Sequence, residues 1–303
     1  MLQQKTTFGL RDRSCQDMLS YTETPVQEIH DSVLDQAGVR LFIKREDLNH
    51  PRVSGNKWWK LKYNLEEAIA QGHDTLLTFG GAYSNHIYAT AAAAHELGLK
   101  SIGIIRGEET LPLNTTLAFA TASGMKLHYV SRESYRTKTA QTFIDNLHTQ
   151  FGNFYLIPEG GTNALAVKGV TEFGQSLKND FDYLCCAVGT GGTLAGLING
   201  IPSAKKVLGI PVLKGGGFLK GEIEQLAGKN TSQWTLMTDY HFGGYGKMSP
   251  ELTSFIMNFE LKHGIKLDPV YTGKMVFGIL DLINQRYFSN GTCIFALHSG
   301  GLR

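Results

Sequence analysis

The chain has 303 residues, 29 basic and 27 acidic side chains, a formal net charge of +2 and an apolar share of 42%. Near-balanced charge excludes the global basic footprint of a nucleic-acid binder. The 35 glycines with 8 prolines show no three-residue period, which excludes collagen and argues against a disordered Pro/Gly-rich chain. A chain of this size hides roughly 75% of its unfolded surface on folding, enough for one large domain or two of about 150 residues. Glycine above its usual ~7% therefore needs a local reason, such as tight turns or close backbone approach to a ligand.

The apolar pattern alternates short strands with amphipathic helices. A strand is predicted at Arg40–Lys44, then a helix at Lys57–Gln71, a strand at Thr75–Phe79 and a helix at Ser84–Leu97. Ser101–Arg106 reads as a strand, Thr115–Ser123 as a helix, Lys126–Val130 as a strand and Lys138–Gln150 as a helix. Phe154–Ile157 is a strand, Ala164–Asn179 a helix, Tyr183–Val188 a strand and Thr193–Ile198 a helix. Helices follow at Glu251–His263 and Lys274–Tyr287, and a last strand at Cys293–Leu297. Strand–helix alternation of this kind predicts an α/β fold of mostly parallel sheets covered by helices. No linker break separates the halves, so two domains would be interleaved rather than strung in series.

Cys15, Cys185, Cys186 and Cys293 form no C-x-x-C pair and sit at no metal-ligand spacing. Buried reduced thiols are expected, in keeping with a reducing compartment, and the sequons at Asn114 and Asn230 are then chance matches. Met1–Leu10 lacks a signal-peptide apolar region, and no run of 18 apolar residues occurs. A cytoplasmic protein without a membrane or nucleic-acid partner is expected.

Glycine-rich loops fall at predicted strand ends, where α/β sheets bind ligands. In Val188-Gly-Thr-Gly-Gly-Thr-Leu-Ala-Gly196, Gly189, Thr190, Gly191, Gly192 and Thr193 open a helix whose N–H groups suit a phosphate. The third-glycine position of a dinucleotide fingerprint holds Leu194, and no Gly-Lys-[Ser/Thr] follows, so neither a dinucleotide nor a nucleoside triphosphate fits. In Ser54-Gly-Asn-Lys-Trp-Trp-Lys-Leu-Lys62, Lys57 begins a helix, where cations are disfavoured. Positive potential and flanking aromatics would favour its free amine, as covalent catalysis by lysine requires. An ordinary surface lysine is the bland alternative, and this segment alone favours it. Ser84-Asn-His86 sits at a helix start that suits a carboxylate or phosphate, or is a plain cap. Phe242-Gly-Gly-Tyr-Gly246, Asp268-Pro-Val-Tyr-Thr-Gly-Lys274 and His298-Ser-Gly-Gly301 place tyrosines and a serine among glycines. Packing or a turn would also account for these.

In order, and with Lys44-Arg-Glu-Asp-Leu48 and Pro158-Glu-Gly-Gly-Thr-Asn-Ala-Leu165 added, these segments resemble one family from about Pro25 to Gly301. It is the aminocyclopropane-carboxylate deaminase and D-cysteine desulfhydrase branch of the pyridoxal-phosphate enzymes with the tryptophan-synthase-β fold. The resemblance implies a fold type II enzyme, with residues 1–50 plus 158–303 as a large cofactor-binding domain and 51–157 as a small domain. It implies a homodimer, a small amino-acid substrate and pyridoxal 5′-phosphate, with no metal.

The resemblance also implies roles. Lys57 would hold the cofactor covalently. Lys60 and the Gly189–Thr193 backbone would hold its phosphate, Asn85 its phenolic oxygen, and Thr272 and Ser299 would complete its site. Ser84, Asn85 and His86 would meet the substrate carboxylate, while Tyr245 and Tyr271 would flank its side chain. A hydroxyl partner such as Ser299 leaves the pyridine nitrogen largely neutral, which favours expulsion of a β leaving group over transamination. Ring-opening deaminases of the branch carry Glu after the Asp-Pro-Val-Tyr tyrosine and Gln after Ser-Asn. Thr272 and His86 stand there instead, as in D-cysteine desulfhydrases.

The expected activity is therefore α,β-elimination from D-cysteine to pyruvate, ammonia and sulfide. Aminocyclopropane-carboxylate deamination is the alternative within enzymes, a pyridoxal-phosphate binder without turnover is the alternative from another class, and a dinucleotide oxidoreductase is the weakest. Trp58-Trp59 depart from the family pattern, which predicts an altered substrate pocket or covering loop. The chain is shorter than most members of the family, especially around Pro202–Thr235, where Lys214-Gly-Gly-Gly-Phe218 has no counterpart in it.

Overall fold

The computed structural model describes residues 19–228 and 233–301. Cys15, the Asn230 sequon and the Met1–Leu10 segment lie outside the described residues. In chain order the elements are β1 (Val26–Ile29), α1 (Ser32–Ala37), β2 (Arg40–Lys44), α2 (Asn56–Ala70), β3 (Thr75–Gly81) and α3 (Asn85–Leu97). Then come β4 (Lys100–Arg106), α4 (Thr115–Ala122), β5 (Met125–Val130), α5 (Arg132–Arg136), α6 (Gln141–Phe151), β6 (Tyr155–Ile157) and α7 (Ala164–Ser176). The remainder is β7 (Tyr183–Val188), α8 (Gly192–Gly200), β8 (Lys206–Pro211), α9 (Leu219–Ala227), β9 (Gln233–Leu236), α10 (Pro250–His263), α11 (Thr272–Asn284) and β10 (Cys293–Leu297). Short 3-10 turns at Glu46–Leu48, Glu159–Gly161 and Gly216–Phe218 join them.

The chain forms two compact units and enters each more than once. One takes Pro51–Val53 and Lys60–Ala166 with the described residues up to Tyr21; the other takes Thr22–His50, Ser54–Trp59 and residues from Val167 onward. The segment carrying Lys57 thus belongs to the second, larger unit.

That larger unit holds a six-stranded sheet in the order β1-β2-β10-β7-β8-β9. β1 is antiparallel to β2 and the other pairings are parallel. The central strands are continuous apolar runs because both faces are covered: Leu184, Cys185, Cys186, Ile294 and Ala296 are all 0% exposed. Met275, Ile279 and Ile283 of α11 pack against this sheet with Leu41 and Ile43. The smaller unit holds a four-stranded, all-parallel sheet, β5-β4-β3-β6, with Leu77, Phe79 and Ile104 packed against Leu147 of α6 on one side. Ile87 and Ala91 of α3 pack with Ile105 and Leu117 on the other. The mixed α/β architecture of helix-covered parallel sheets is as expected.

Several local expectations differ. Gly80-Gly81 do not turn the chain after β3; they continue it, pairing with Ile105 and Arg106. Their role is close approach: a Cβ on Gly80 would stand 2.5 Å from Ile87 Cγ1 and 2.8 Å from Ser84 Oγ, so glycine lets the start of α3 lie on the strand. Residues 202–235 contain β8, α9 and β9. Gly209 interrupts the apolar run of β8 because a Cβ there would meet Leu194, Leu236 and Val188 within 2.9 Å. Gly215–Gly217 open α9: Gly215 has φ +69°, and Gly216 packs so closely on Pro211 that a Cβ would stand 2.6 Å away.

Trp58 and Trp59 are core residues at 0% and 5% exposure. Their rings meet edge-on at 4.9 Å, and Trp59 packs on Phe173 at 5.2 Å. They fill the interior rather than alter a substrate pocket. Asn114 is the N-cap of α4, accepting from Thr116 N–H and Leu117 N–H, which explains that sequon structurally. Among the described residues no helix is long and apolar enough to cross a membrane, and no His/Cys/Asp/Glu cluster is suited to a metal.

Candidate active site

In the larger unit, three adjacent parallel strands, β2, β10 and β7, deliver their carboxyl ends to one edge of the sheet, where ligands of α/β sheets bind. β2 leads through Glu46–Leu48 to Lys57, β10 to Ser299, and β7 to Gly189–Thr193.

The Lys57 segment is built on Glu46. This carboxylate is 1% exposed, accepts from Thr24 Oγ1, Asn49 Nδ2 and Trp59 Nε1, and has Lys44 Nζ 3.8 Å away. Its backbone carbonyl takes Gly55 N–H at 3.0 Å. Asn49 grips Gly55 from both sides, donating to its carbonyl at 3.0 Å and accepting from its N–H at 2.8 Å. Gly55 has φ +70°, and a Cβ there would fall inside the Ser299 carbonyl oxygen. Only glycine allows this crossing, and Asn56 N–H then donates to the same carbonyl at 3.2 Å. The Lys44-Arg-Glu-Asp-Leu48 motif is thus a scaffold for the lysine.

Lys57 is half-buried, and its Nζ donates to Asn56 Oδ1 at 3.2 Å. Asn56 Nδ2 in turn donates to Thr193 Oγ1 at 2.7 Å. The side chains therefore run from the amine of Lys57 to the first turn of α8. The N-cap of that helix is Gly191, with φ +78° and no capping side chain. A Cβ at Gly191 would stand 2.8 Å from Ile223 Cγ1, and one at Gly189 would stand 3.2 Å from the Tyr271 ring. An N-terminus without a side-chain cap and with its backbone stripped of side chains suits a phosphate.

Ser299 follows His298, which is 0% exposed. His298 Nε2 donates to Lys266 O at 2.8 Å, while Nδ1 accepts from Gly300 N–H at 3.4 Å. That pattern fixes the neutral Nε2–H tautomer. Burial depresses the His298 pKa; Asp47, 3.4 Å from Nδ1, opposes this but is the smaller effect. Asp47 has its own partner in a two-pronged contact with Arg45. The hydroxyl of Ser299 makes no hydrogen bond among the described residues and is half-buried.

Tyr271 is set by Asp268, whose Oδ1 accepts from Val270 N–H at 3.0 Å and Tyr271 N–H at 2.6 Å. Tyr245, 37% exposed, meets Tyr271 edge-on with centroids 6.0 Å apart. The loop carrying Tyr245 hangs on Lys274, a residue given no role by sequence reasoning. This lysine is 0% exposed, and its Nζ donates to His241 O at 2.9 Å and Gly244 O at 2.8 Å. Burial draws its pKa down to about 8, with Asp268 opposing.

Thr272 is 0% exposed, and its hydroxyl accepts from Asp268 N–H at 2.8 Å. It closes the turn before α11.

In the smaller unit, Ser84 caps α3 by accepting from Ile87 N–H at 3.3 Å, and Ser84 and Asn85 are half-buried. His86 is 1% exposed, with Nε2 2.7 Å from Thr78 Oγ1. Because Thr78 donates its one proton to Ile157 O at 2.8 Å, the His86 nitrogen donates to Thr78. Its ring ties α3 to β3 beneath Gly161, where a Cβ would stand 3.0 Å from Cε1. Lys60, 1% exposed, donates from Nζ to Thr162 Oγ1 at 2.8 Å. Asn64 and Asn163 exchange side-chain hydrogen bonds of 3.2 and 2.7 Å, fixing the 158–163 loop to α2. Thr162 and Asn163 lay inside a quoted motif without a role, since only the folded contact reveals one.

The larger unit therefore offers a positioned primary amine, a bare helix N-terminus for a phosphate and an available hydroxyl at one sheet edge. That donor set fits pyridoxal phosphate: an aldehyde for the amine, a phosphate for the cradle and a ring nitrogen for the hydroxyl. Similarity to known proteins agrees. A protein from Pyrococcus abyssi, named provisionally as a 1-aminocyclopropane-1-carboxylate deaminase, is 33% identical over 298 residues, covering 92% of this chain and 89% of that one. The bifunctional D-cysteine desulfhydrase/1-aminocyclopropane-1-carboxylate deaminase of Arabidopsis thaliana is 31% identical over 292 residues, covering 88% and 73%. The crystal structure of an ACC deaminase homologue superposes with TM-score 0.80 at 30% identity, covering 98% of this chain and 95% of that one. The family model described as pyridoxal-phosphate dependent enzyme matches residues 18–300; this chain belongs to the pyridoxal-phosphate-dependent enzymes, with the fold type II architecture.

Proposed function

We propose that the protein is a lyase that performs α,β-elimination on a small amino acid, with D-cysteine as the preferred substrate. Elimination breaks the Cα–H and Cβ–S bonds, sulfide leaves with a proton, and hydrolysis of the remaining enamine takes up one water to give pyruvate and ammonia. The observation that carries the choice is Thr272. Where ring-opening deaminases of the branch carry Glu, this chain has a buried hydroxyl bonded to Asp268 N–H, so that position offers no acid for opening a cyclopropane.

When bound, the cofactor withdraws electrons from the substrate Cα. Lys57 Nζ, oriented by Asn56 Oδ1, would hold it and would take the Cα proton. The N–H groups of Gly189–Thr193 and the Lys60 amine would hold its phosphate, Asn85 its phenolic oxygen and Ser299 Oγ its ring nitrogen. Ser84 and the first N–H groups of α3 would take the substrate carboxylate. Tyr245 and Tyr271 would flank the thiol and keep water from it. The reading extends to the larger unit as cofactor-binding domain, to a homodimer and to a cytoplasmic location. The free, fully buried thiols of Cys185 and Cys186 support a reducing compartment.

The name of the Arabidopsis relative keeps cyclopropane deamination as the second reading. A panel of D-cysteine, L-cysteine, D-serine, β-chloro-D-alanine and the cyclopropane acid on one preparation separates the readings. Pyruvate and sulfide from D-cysteine are expected. Dominant 2-oxobutanoate from the cyclopropane acid would overturn the choice, and cofactor absorbance without any product would make the protein a binder.

A further inference from the structure

At the carboxyl end of the four-stranded sheet, the smaller unit carries a cavity of about 290 Å³ lined by Arg106, Arg132, Tyr135, Arg136, Lys138 and Glu159. Arg106 ends β4, Arg132 and Arg136 lie on α5 directly after β5, and Glu159 follows β6. Three parallel strands thus send charged side chains to one place, on the side of the sheet where ligands bind. Four of the lining side chains are cationic and one is a carboxylate. Lys138 Nζ pairs with Glu159 at 3.1 Å. Arg106, Arg132 and Arg136 have no ion pair among the described residues.

Two of these cations, Arg106 and Lys138, are held against one aromatic ring. Tyr135 is 2% exposed and packs edge-on against Phe79 at 6.2 Å, which fixes its ring. Arg106 lies over that ring at 5.6 Å and Lys138 at 4.8 Å. Cation–π contacts of this kind position a cation without neutralising it. Arg132 and Arg136 are four residues apart on α5, which puts them on one face of the helix. Glu133 on the same helix, and Glu108 and Glu109 after Arg106, do not line the cavity. Gathering like charges is unfavourable, by about 1 kcal/mol per close pair even in water. An anion relieves that cost, and the guanidinium fork matches the spacing of two oxygens on one centre.

We propose that this cavity binds a compact oxyanion carrying two negative charges, of the phosphate type. The lining residues all belong to the smaller unit, whereas Gly189–Thr193 belong to the larger one. The cavity adjoins the turn leading to Ser84, because a Cβ on Gly81 would stand 3.5 Å from Arg106 Nη2. Its occupant is either a free oxyanion or the distal group of a phosphorylated amino acid. Binding there does not depend on the lyase reading, since it is measured without turnover.

The test is calorimetric titration of the cofactor-saturated protein with inorganic phosphate at low salt, in the wild type and in an R132Q/R136Q variant. Saturable binding that weakens about tenfold in the variant, with the cofactor absorbance of the two proteins unchanged, is expected. A second arm titrates O-phospho-D-serine against D-serine. Preference for the phosphorylated compound that is lost in the variant assigns the site to a substrate group, whereas binding of inorganic phosphate without that preference assigns it to a free anion. Absence of saturable phosphate binding to the wild type, or equal affinity in the variant, would overturn the proposal.

Discussion

Asn56 Nδ2 donates to Thr193 Oγ1 at 2.7 Å across 137 residues of chain, while its Oδ1 accepts from Lys57 Nζ at 3.2 Å. One amide therefore sets both the amine of Lys57 and the first turn of α8, the proposed phosphate cradle. Asn56→Ala should loosen cofactor binding about tenfold, the worth of one well-placed hydrogen bond. Asn56→Asp should do worse, because a carboxylate there repels the phosphate. Equilibrium dialysis of the cofactor checks the order; an aspartate variant that binds as tightly as wild type would contradict the role.

Gly55 and Gly217 give a matched pair. At Gly55 an alanine Cβ would fall inside the Ser299 carbonyl oxygen at φ +70°, whereas at Gly217 nothing lies within 4 Å. Gly55→Ala should cost at least about 2 kcal/mol through strain and displacement of the 299–301 loop. Gly217→Ala should be within about 0.5 kcal/mol of neutral. Urea unfolding of the two variants measures the contrast.

Lys274 makes stability depend on alkaline pH. Its ordinary pKa of 10.5 falls to about 8 in the folded state, so between those values the unfolded chain holds a proton that the folded chain lacks. Stability from this group therefore rises with pH across that window, by up to about 1.4 kcal/mol per unit. The neutral amine keeps two N–H donors, enough for His241 O and Gly244 O, so the Tyr245 loop stays anchored. Lys274→Met should remove the alkaline rise and strand both carbonyls, at a cost of about 1–3 kcal/mol. Its effect on turnover should fall more on KM than on kcat, because Tyr245 meets substrate and not the reacting proton. Unfolding curves at about pH 8 and about pH 9.5, in wild type and variant, test the sign.

His298 acts at the acidic end. Burial holds its folded pKa below the usual 6.5, so the stability it contributes is present above that value and lost as pH falls through the lowered folded pKa. Protonation forces a proton onto Nδ1, which now accepts from Gly300 N–H. His298→Gln should flatten this acid-side loss in urea unfolding. A variant with the wild-type acid profile would remove His298 as its source.

The strands were legible where burial on both faces leaves an unbroken apolar run, as in Tyr183–Val188 and Cys293–Leu297. β8 was missed because Gly209 and Pro211 read as a break, yet Gly209 is there for close packing against Leu194 and Leu236. β1 was missed because Val26–Ile29 carries polar residues on a half-covered edge strand. Lys57 and the glycine loop were visible because helix-start chemistry is local. Asn56 was not, since its value lies in a contact with a distant segment. His86 and Thr272 looked functional by position, but their neighbours Thr78 and Asp268 turn them inward.

The central claim is that Lys57 carries the cofactor. Borohydride reduction of the protein with bound pyridoxal phosphate, followed by peptide mass analysis, tests it most directly. The reduced adduct is expected on Lys57, with no visible chromophore or pyruvate release in Lys57→Ala. An adduct on another lysine such as Lys60, or a Lys57→Ala protein that keeps its chromophore and turnover, would contradict it.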